Sequence, residues 1–183
     1  MARIISRHAA PPRTPDATEP LFDETVASDA PLAARMRPRS LDEFMGQPHL
    51  VGPDGALTRV VQPGHLPSMV LWGPPGSGKT TLAVVAAKEL ATRRGLALRY
   101  ANTPQMLDEL RREAADHMPA ALLRQLVDVP VLVLDDLGRE QLTKWAREKL
   151  YRLLDERMRA HTPDTPRITF VENSSSLPIT PIL

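Results

Sequence analysis

The chain contains no cysteine, and this absence excludes disulfide bonds and zinc sites built from cysteine. It also lacks any apolar run near the roughly 20 residues that a membrane-spanning helix needs, so we expect no membrane partner. The basic N-terminus, residues 1–12, has no continuous apolar segment and does not fit a secretory signal. Together these absences predict a protein of the reducing cytoplasm.

An excess of charge of one sign is missing as well. The formal net charge is +1, so overall charge does not indicate a nucleic-acid partner. Basic residues are concentrated locally, in the cluster of Arg35, Arg37 and Arg39 and along one flank of a predicted helix over 143–161. We interpret that flank as a solvated face, with a track for a phosphate backbone as the alternative. Any DNA contact is therefore expected to be weak and sensitive to salt.

The first thirty residues differ in composition from the rest of the chain. Residues 1–30 are rich in proline, charge and small side chains and show no apolar period, so we predict a disordered tail. From residue 31 onward the pattern is that of a folded protein, and a length of 183 residues suits one domain. We therefore predict a single folded domain over 31–183.

Within that domain, predicted strands alternate with predicted helices. Short apolar runs predict strands at 68–72, 97–101, 131–134 and 167–171. Apolar residues at helical spacing predict helices at 79–94, 103–113, 119–127 and 143–161. Thr103 followed by Pro104 is typical of a helix start with a capping hydroxyl. The alternation predicts an α/β fold, with a parallel sheet and helices on both faces.

The strongest motif lies between the first predicted strand and the first long helix. It fits the P-loop pattern G-x-x-x-x-G-K-[ST], whose backbone N–H groups and following helix bind phosphate. We predict that Lys79 reaches the β and γ phosphates and that the Thr80 hydroxyl binds Mg²⁺, so the expected cofactors are ATP and Mg²⁺. The predicted nucleotide contacts are Gly73, Pro74, Pro75, Gly76, Ser77, Gly78, Lys79, Thr80 and Thr81.

A second motif ends the predicted strand at 131–134. Asp135 and Asp136 follow that apolar run, which is the arrangement of a Walker B motif. We predict that Asp135 holds the Mg²⁺ ion through its water shell and that Asp136 polarises the attacking water. Asn173, after the last predicted strand, is a third candidate catalytic residue that could orient this water. The alternative for Asn173 is an ordinary turn residue.

Residues 31–83 resemble the opening of the AAA+ module in replication-associated recombination protein A, a bacterial relative of clamp loaders and Holliday-junction ATPases. The resemblance is carried by RMRP at 35–38, GQPHLVG at 46–52 and SMVLWGPPG at 68–76. In that family the segment before the P-loop wraps the adenine. The resemblance implies that Arg37, Pro38, Leu50 and Val51 border the base.

Residues 131–158 resemble a different branch, the DnaC-type helicase loaders and IstB-type transposition helper ATPases. The resemblance is carried by Asp-Asp-Leu-Gly at 135–138, by Trp145, and by a helix that ends near Asp-Glu-Arg at 155–157. The recombination protein A family would have Asp-Glu in place of Asp135 and Asp136. We interpret the chain as a mosaic of two AAA+ branches. Both imply an ATP-driven protein of DNA replication or recombination that forms homo-oligomers and acts on DNA or on a replication protein such as a helicase.

The C-terminal part predicts a shortened AAA+ core. Proteins of the kinds resembled here add a fifth strand beside the P-loop strand, a helical lid, and arginines that approach the γ-phosphate. In this sequence ten residues follow Asn173, and no arginine follows Arg167. We therefore expect a truncated module without a lid, an open apolar sheet edge at 68–72, and slow turnover. Alternatives of another class are a P-loop small-molecule kinase and a non-enzymatic nucleotide-binding module.

Overall fold

The computed structural model describes residues 31–61, 67–116, 120–138 and 143–173. The predicted tail at 1–30 and the segment 174–183 lie outside the described residues. The helices, in chain order, are α1 (Leu32–Arg35), α2 (Pro48–Val51), α3 (Ala56–Val61), α4 (Lys79–Arg94), α5 (Thr103–Ala115), α6 (Ala121–Asp128) and α7 (Lys144–Ala160). The strands are β1 (Met69–Trp72), β2 (Leu98–Asn102), β3 (Val131–Leu137) and β4 (Ile168–Asn173).

The strands of the described residues form a parallel sheet with the order β1-β4-β3-β2. This arrangement confirms the predicted α/β fold with a parallel sheet. In a parallel sheet the carboxyl ends of all strands lie at the same edge, and ligands of open α/β sheets bind there. The loop after β1, the end of β3 and the end of β4 are therefore brought together.

Both faces of the sheet are covered at β3, whose residues alternate between two cores. Val131 and Val133 pack with α4 on one face. Leu132 and Leu134 pack with α5, α6 and α7 on the other. A strand that is buried on both faces has to be apolar throughout, which is the pattern that predicted it.

The long helices and the strands are confirmed, with ends that differ from the prediction by at most three residues. The start of α5 at Thr103 is confirmed, but its capping residue was predicted wrongly: the N-cap is Asn102, whose side chain accepts a hydrogen bond from the Gln105 backbone N–H at 3.4 Å. The Thr103 hydroxyl is instead buried, with no hydrogen-bond partner among the described residues. The short helices α1 to α3 were not predicted, because four to six residues are too few to show an apolar period.

Exposed apolar side chains occur on β1, which is an edge strand among the described strands. Val70 and Trp72 are each 58% exposed and lie on the face of β1 opposite to buried Leu71. Such an edge invites association with other chains. None of the helices in the described ranges combines the length and apolar character needed to cross a bilayer.

A buried arginine joins the amino ends of β3 and β4 to the helices α6 and α7. Arg157 of α7 is only 1% exposed, and its guanidinium donates to Thr169 Oγ1 and to five backbone carbonyl oxygens at the end of α6 and the starts of β3 and β4. Burial, and then the nearby Arg167, lowers the pKa of Arg157 to about 10. The group is therefore still charged at neutral pH, and its hydrogen bonds satisfy carbonyl groups that α6 leaves open.

Candidate functional site

The loop between β1 and α4 has a backbone that requires glycine at two positions. Gly76 and Gly78 have φ angles of 77° and 80°, in the left-handed region that other residues rarely adopt. Gly78 is also the N-cap residue of α4, so the loop turns directly into the helix. The first N–H groups of that helix are free to bind an anion, and the helix dipole favours negative charge at this end.

The segment before β1 supports this loop from outside. A Cβ atom on Gly78 would lie 2.9 Å from Cζ of Phe44, so the aromatic ring packs directly against the loop. The side-chain amide of Gln47 donates to the Ser77 carbonyl at 2.8 Å, from a left-handed backbone conformation with φ 49°. The sequence analysis identified neither residue, although Gln47 lies within the GQPHLVG segment that carried the resemblance.

Lys79 begins α4 and extends its side chain back over the loop. Its ammonium group donates to the Pro74 carbonyl at 3.1 Å and lies 3.4 Å from Oε1 of Glu172 at the end of β4. The residue is 9% exposed. A buried cation needs paired negative charge, and here a carboxylate of the chain supplies it.

Thr80 and Asp135 meet beneath the loop. The Thr80 hydroxyl donates to Oδ1 of Asp135 at 3.0 Å, and Oδ2 of Asp135 accepts a hydrogen bond from the Tyr100 hydroxyl. Asp135 is buried, so these hydrogen bonds fix the orientation of its carboxylate. The role of Tyr100 was not predicted, because one tyrosine in a strand gives no sequence signal.

Asp136 lies at an irregularity in β3. The register between β3 and β4 shifts between Leu134 and Leu137, and Asp136 adopts a left-handed conformation with φ 58°. Its carboxylate accepts a hydrogen bond from the Asn102 side-chain amide at 3.0 Å. Bulges and left-handed non-glycine residues redirect side chains and are concentrated at functional sites. The strand β3 continues across this irregularity to Leu137, three residues past the strand end expected at residue 134.

Glu172 is the main residue of this site that the sequence analysis missed. It is 1% exposed and lies in β4 between the apolar Val171 and Asn173. Its Oε2 accepts a hydrogen bond from the Asp136 backbone N–H at 3.2 Å, while Oε1 faces Lys79. The predicted strand ended at residue 171, so nothing in the sequence pattern indicated that the carboxylate of Glu172 would be buried and would require a partner.

These residues enclose a cavity of about 460 Å³. This volume lies within the range of small-molecule sites. The lining comes from Pro75, Gly76 and Gly78 of the loop, from Lys79, Thr80 and Thr81 of α4, and from Asp136 and Glu172. The P-loop and the ends of β3 and β4 therefore form one concave surface.

The four residues expected near the adenine lie outside this lining. Leu50 and Val51 belong to α2 and are half-buried against the core on the α4 side of the sheet. Pro38 is half-buried and Arg37 is exposed. Asn173 ends β4 beside Trp72 and Leu137, and its side chain lies outside the described atoms. The roles given to these five residues remain predictions.

The donor set under the loop fits Mg²⁺. Thr80 and Asp135 present hard oxygen ligands that lie 3.0 Å apart, next to a cavity suited to phosphate. Mg²⁺ is usually held by one or two such protein oxygens, together with water and substrate phosphates. The described residues contain no group of three or more His, Cys, Asp or Glu side chains that could hold a metal alone. The phosphates would therefore have to complete the coordination of the ion.

A parallel sheet with a P-loop after β1 and paired aspartates in β3 is the arrangement of a P-loop nucleotide-binding protein. Comparison with known families makes this more specific. The chain belongs to the family of IstB-like ATP binding proteins, which matches residues 65–170, more than half of its 183 residues.

Two curated relatives are similar to this chain over different lengths. Replication-associated recombination protein A of Coxiella burnetii is 59% identical over 63 residues, which are 34% of this chain and 14% of that protein. The RuvB subunit of the Holliday junction branch migration complex from Corynebacterium jeikeium is 36% identical over 143 residues, or 75% of this chain and 36% of that protein. The chain thus spans a minor part of the length of these relatives.

Solved structures of similar fold include the DnaC helicase loader and DnaI, in line with the resemblance of residues 131–158 to DnaC-type proteins. The DnaC helicase loader has a TM-score of 0.65 and 24% identity, with 80% of this chain and 82% of that chain covered, and this likeness shows the fold. DnaI has a TM-score of 0.62 and 26% identity, with coverage of 78% and 75%. The comparisons therefore confirm an AAA+ P-loop ATPase that resembles both the recombination protein A and the DnaC/IstB branches.

Proposed function

We propose that this chain binds ATP together with Mg²⁺ in the cavity at the ends of β1, β3 and β4. The observation that carries this proposal is the convergence of Lys79, Thr80 and Asp135 around a glycine-built loop. A phosphate-binding helix end, a cation and a pair of metal ligands are the three parts that a P-loop site needs.

The proposed role of each residue follows from its position. Lys79 pairs with the β and γ phosphates, while the loop from Gly73 to Thr81 surrounds the phosphate chain with backbone N–H groups. Thr80 and Asp135 would hold Mg²⁺, which neutralises phosphate charge when bound. Asp136 accepts a proton from, or orients, the attacking water, and Asn173 assists that water.

The base side of the site is proposed on the resemblance to recombination protein A. Leu50 and Val51 offer apolar contacts for an adenine, and Arg37 and Pro38 border them. Gln47 and Phe44 support this assignment, because they tie the same segment to the P-loop. A base bound by α2 would then be coupled mechanically to the phosphate cradle.

In the cell, we propose a role in DNA replication or recombination within the cytoplasm. A role like that of recombination protein A is supported by the identity of 59% over 63 residues. A role as a helicase loader or transposition helper is supported by the family match over 65–170 and by the DnaC and DnaI folds. In either role the chain would form homo-oligomers and contact DNA or a replication protein such as a helicase. We assign these activities to one domain over 31–183, preceded by a tail.

Turnover by this chain is proposed to be slow. Asp136 has a side chain one methylene shorter than the glutamate of many ATPases, and it is hydrogen-bonded to Asn102. A reach shortened in this way weakens contact with an attacking water, which must lie within hydrogen-bond distance of its base. ATP binding and release of phosphate are therefore separate expectations for this chain.

Two assays separate ATPase, small-molecule kinase and nucleotide-binding module. Phosphate release is measured with no DNA, single-stranded DNA and forked DNA, and phosphoryl transfer is measured with a panel of small acceptors. An ATPase of replication or recombination releases phosphate slowly, at a rate that DNA increases at low salt and that salt suppresses. Transfer to an acceptor without phosphate release would instead identify a kinase. Binding with neither activity would identify a non-enzymatic module.

A further inference from the structure

Glu172 is an unusual component of a phosphate-binding cavity. Such cavities attract anions, yet this buried carboxylate lies among their lining residues and 3.4 Å from the ammonium group of Lys79. Its position is fixed from the other side, because Asp136 donates its backbone N–H to the second carboxylate oxygen. The carboxylate is thus built into the end of β4 rather than placed there by a mobile side chain.

A carboxylate in this position and a nucleotide phosphate require the same partner. An ammonium group has three N–H donors, and in Lys79 one of them is taken by the Pro74 carbonyl. A phosphate that approaches Lys79 must either displace Glu172 or remain close to it as a like charge. Both outcomes reduce affinity, because like charges at close range repel more strongly in a partly buried site than in water.

The competition between Glu172 and the nucleotide for Lys79 should depend on whether the nucleotide carries a terminal γ-phosphate. Glu172 contacts Asp136, the residue after the proposed metal ligand, and in P-loop sites the metal bridges the β and γ phosphates. The loop backbone at Pro75–Gly78 serves the α and β phosphates. A carboxylate on the β3 and β4 side therefore opposes the terminal phosphate of a triphosphate more than it opposes a diphosphate.

We propose that Glu172 is a specificity-determining residue, which occupies the place of the terminal phosphate on Lys79 and thereby weakens binding of ATP relative to ADP. This inference rests on the proposed function, since it assumes that nucleotide binds at the P-loop. It extends that function because the positive charge of Lys79 is already balanced by Glu172. A nucleotide therefore has to break this ion pair in order to bind Lys79.

The test replaces Glu172 by glutamine. Glu172→Gln keeps the length of the side chain and an acceptor oxygen for the Asp136 N–H, but it removes the negative charge. Kd values for ATP and ADP are measured by calorimetry, with Mg²⁺ and with EDTA. The matched control is Glu156→Gln, which changes the net charge equally and removes the carboxylate of an ion pair with Arg152 on α7, outside the cavity lining.

The proposal predicts that Glu172→Gln binds ATP roughly tenfold more tightly than the unaltered chain, with a smaller gain for ADP and no gain in the control. A purely structural role for Glu172 would move both affinities equally or would lower them. Equal gains, no gain or a loss for ATP would overturn the proposal. If the unaltered chain, Glu172→Gln and the control all fail to bind either nucleotide, the proposed function itself fails.

A second measurement does not depend on the folding of the variant. In EDTA no metal offsets the charge of Glu172, so the unaltered chain should bind ADP at least as tightly as ATP. If the unaltered chain binds ATP tenfold more tightly than ADP under these conditions, Glu172 does not discriminate against the terminal phosphate. Failure of this result with nucleotide binding intact would reject the inference and leave the proposed function standing.

Discussion

Replacement of Arg157 by methionine tests how the end of α6 is held against the starts of β3 and β4. Methionine has a similar length, but it cannot donate to the carbonyl oxygens of Leu126, Val129 and Ile168, which lie 2.6, 2.7 and 2.8 Å from the guanidinium. Each buried acceptor left without a donor costs about 1–3 kcal/mol. The variant also avoids the desolvation cost of burying the guanidinium charge, and this raises the free energy of unfolding by several kcal/mol. Because several buried acceptors lose their donor at once, their cost exceeds this gain, and we expect the free energy of unfolding to fall by at least about 2 kcal/mol.

Urea denaturation followed by circular dichroism measures this loss as a lower midpoint with an unchanged slope. The matched control is Arg152→Met, which removes an exposed arginine and its i,i+4 ion pair from the same helix. The control should change stability by less than about 0.5 kcal/mol. A loss of less than about 1 kcal/mol for Arg157→Met would refute the argument, because the open carbonyls would then have found other donors.

The pH dependence of this difference follows from the pKa of Arg157. Burial lowers it from its ordinary value to about 10, so folding opposes the charged form. The cost of burying the charge is present in full below about pH 10, and it is relieved only as the pH rises above that value. The stability difference between the unaltered chain and Arg157→Met should therefore stay constant from about pH 6 to about pH 9. A difference that changes steadily over this range would contradict the assignment.

Two further predictions concern the site. Asp135→Asn should weaken binding of MgATP, whereas Asp136→Asn should spare binding and reduce phosphate release; the reverse pattern in calorimetry and turnover assays would exchange the two roles. Gly78→Ala and Gly95→Ala should each lower the free energy of unfolding by about 1–2 kcal/mol, because both positions have left-handed backbone. Only Gly78→Ala should also weaken nucleotide binding, because its Cβ atom would clash with Phe44, whereas a Cβ atom at Gly95 meets open space. Equal nucleotide affinity in the two glycine variants would show that the contact between Phe44 and the P-loop does not affect nucleotide binding.

The parts of the fold that repeat a simple pattern could be predicted from the sequence. The helix α4 has apolar residues at helical spacing, and the strand β3 is a short run that is apolar throughout. The P-loop motif specifies the loop between β1 and α4. Because parallel strands end at the same side of the sheet, the meeting of Thr80 and Asp135 could be expected from the motif order and the sheet. Local signals and the global fold agreed at these positions.

The rest depended on contacts between distant residues. Glu172 reaches Lys79 across 93 positions of the chain, and neither residue type nor spacing points to that pair. The bulge at Asp136 is set by the pairing of β3 with β4, and a dipeptide of aspartates does not specify it. Asn102, rather than Thr103, caps α5 because the end of β2 leaves its side chain beside the first turn. These features arise from tertiary packing, which local propensity does not determine.

The central claim is that nucleotide binds at the P-loop, and its most direct test is calorimetric titration of the chain with MgATP before and after Lys79→Ala. Lys144→Ala, which removes an exposed lysine at the start of α7, is the matched control. The account predicts measurable binding by the unaltered chain and by the control, and an affinity at least about tenfold lower, or about 1.4 kcal/mol, for Lys79→Ala. Equal affinity in all three proteins, or no binding by the unaltered chain, would contradict it.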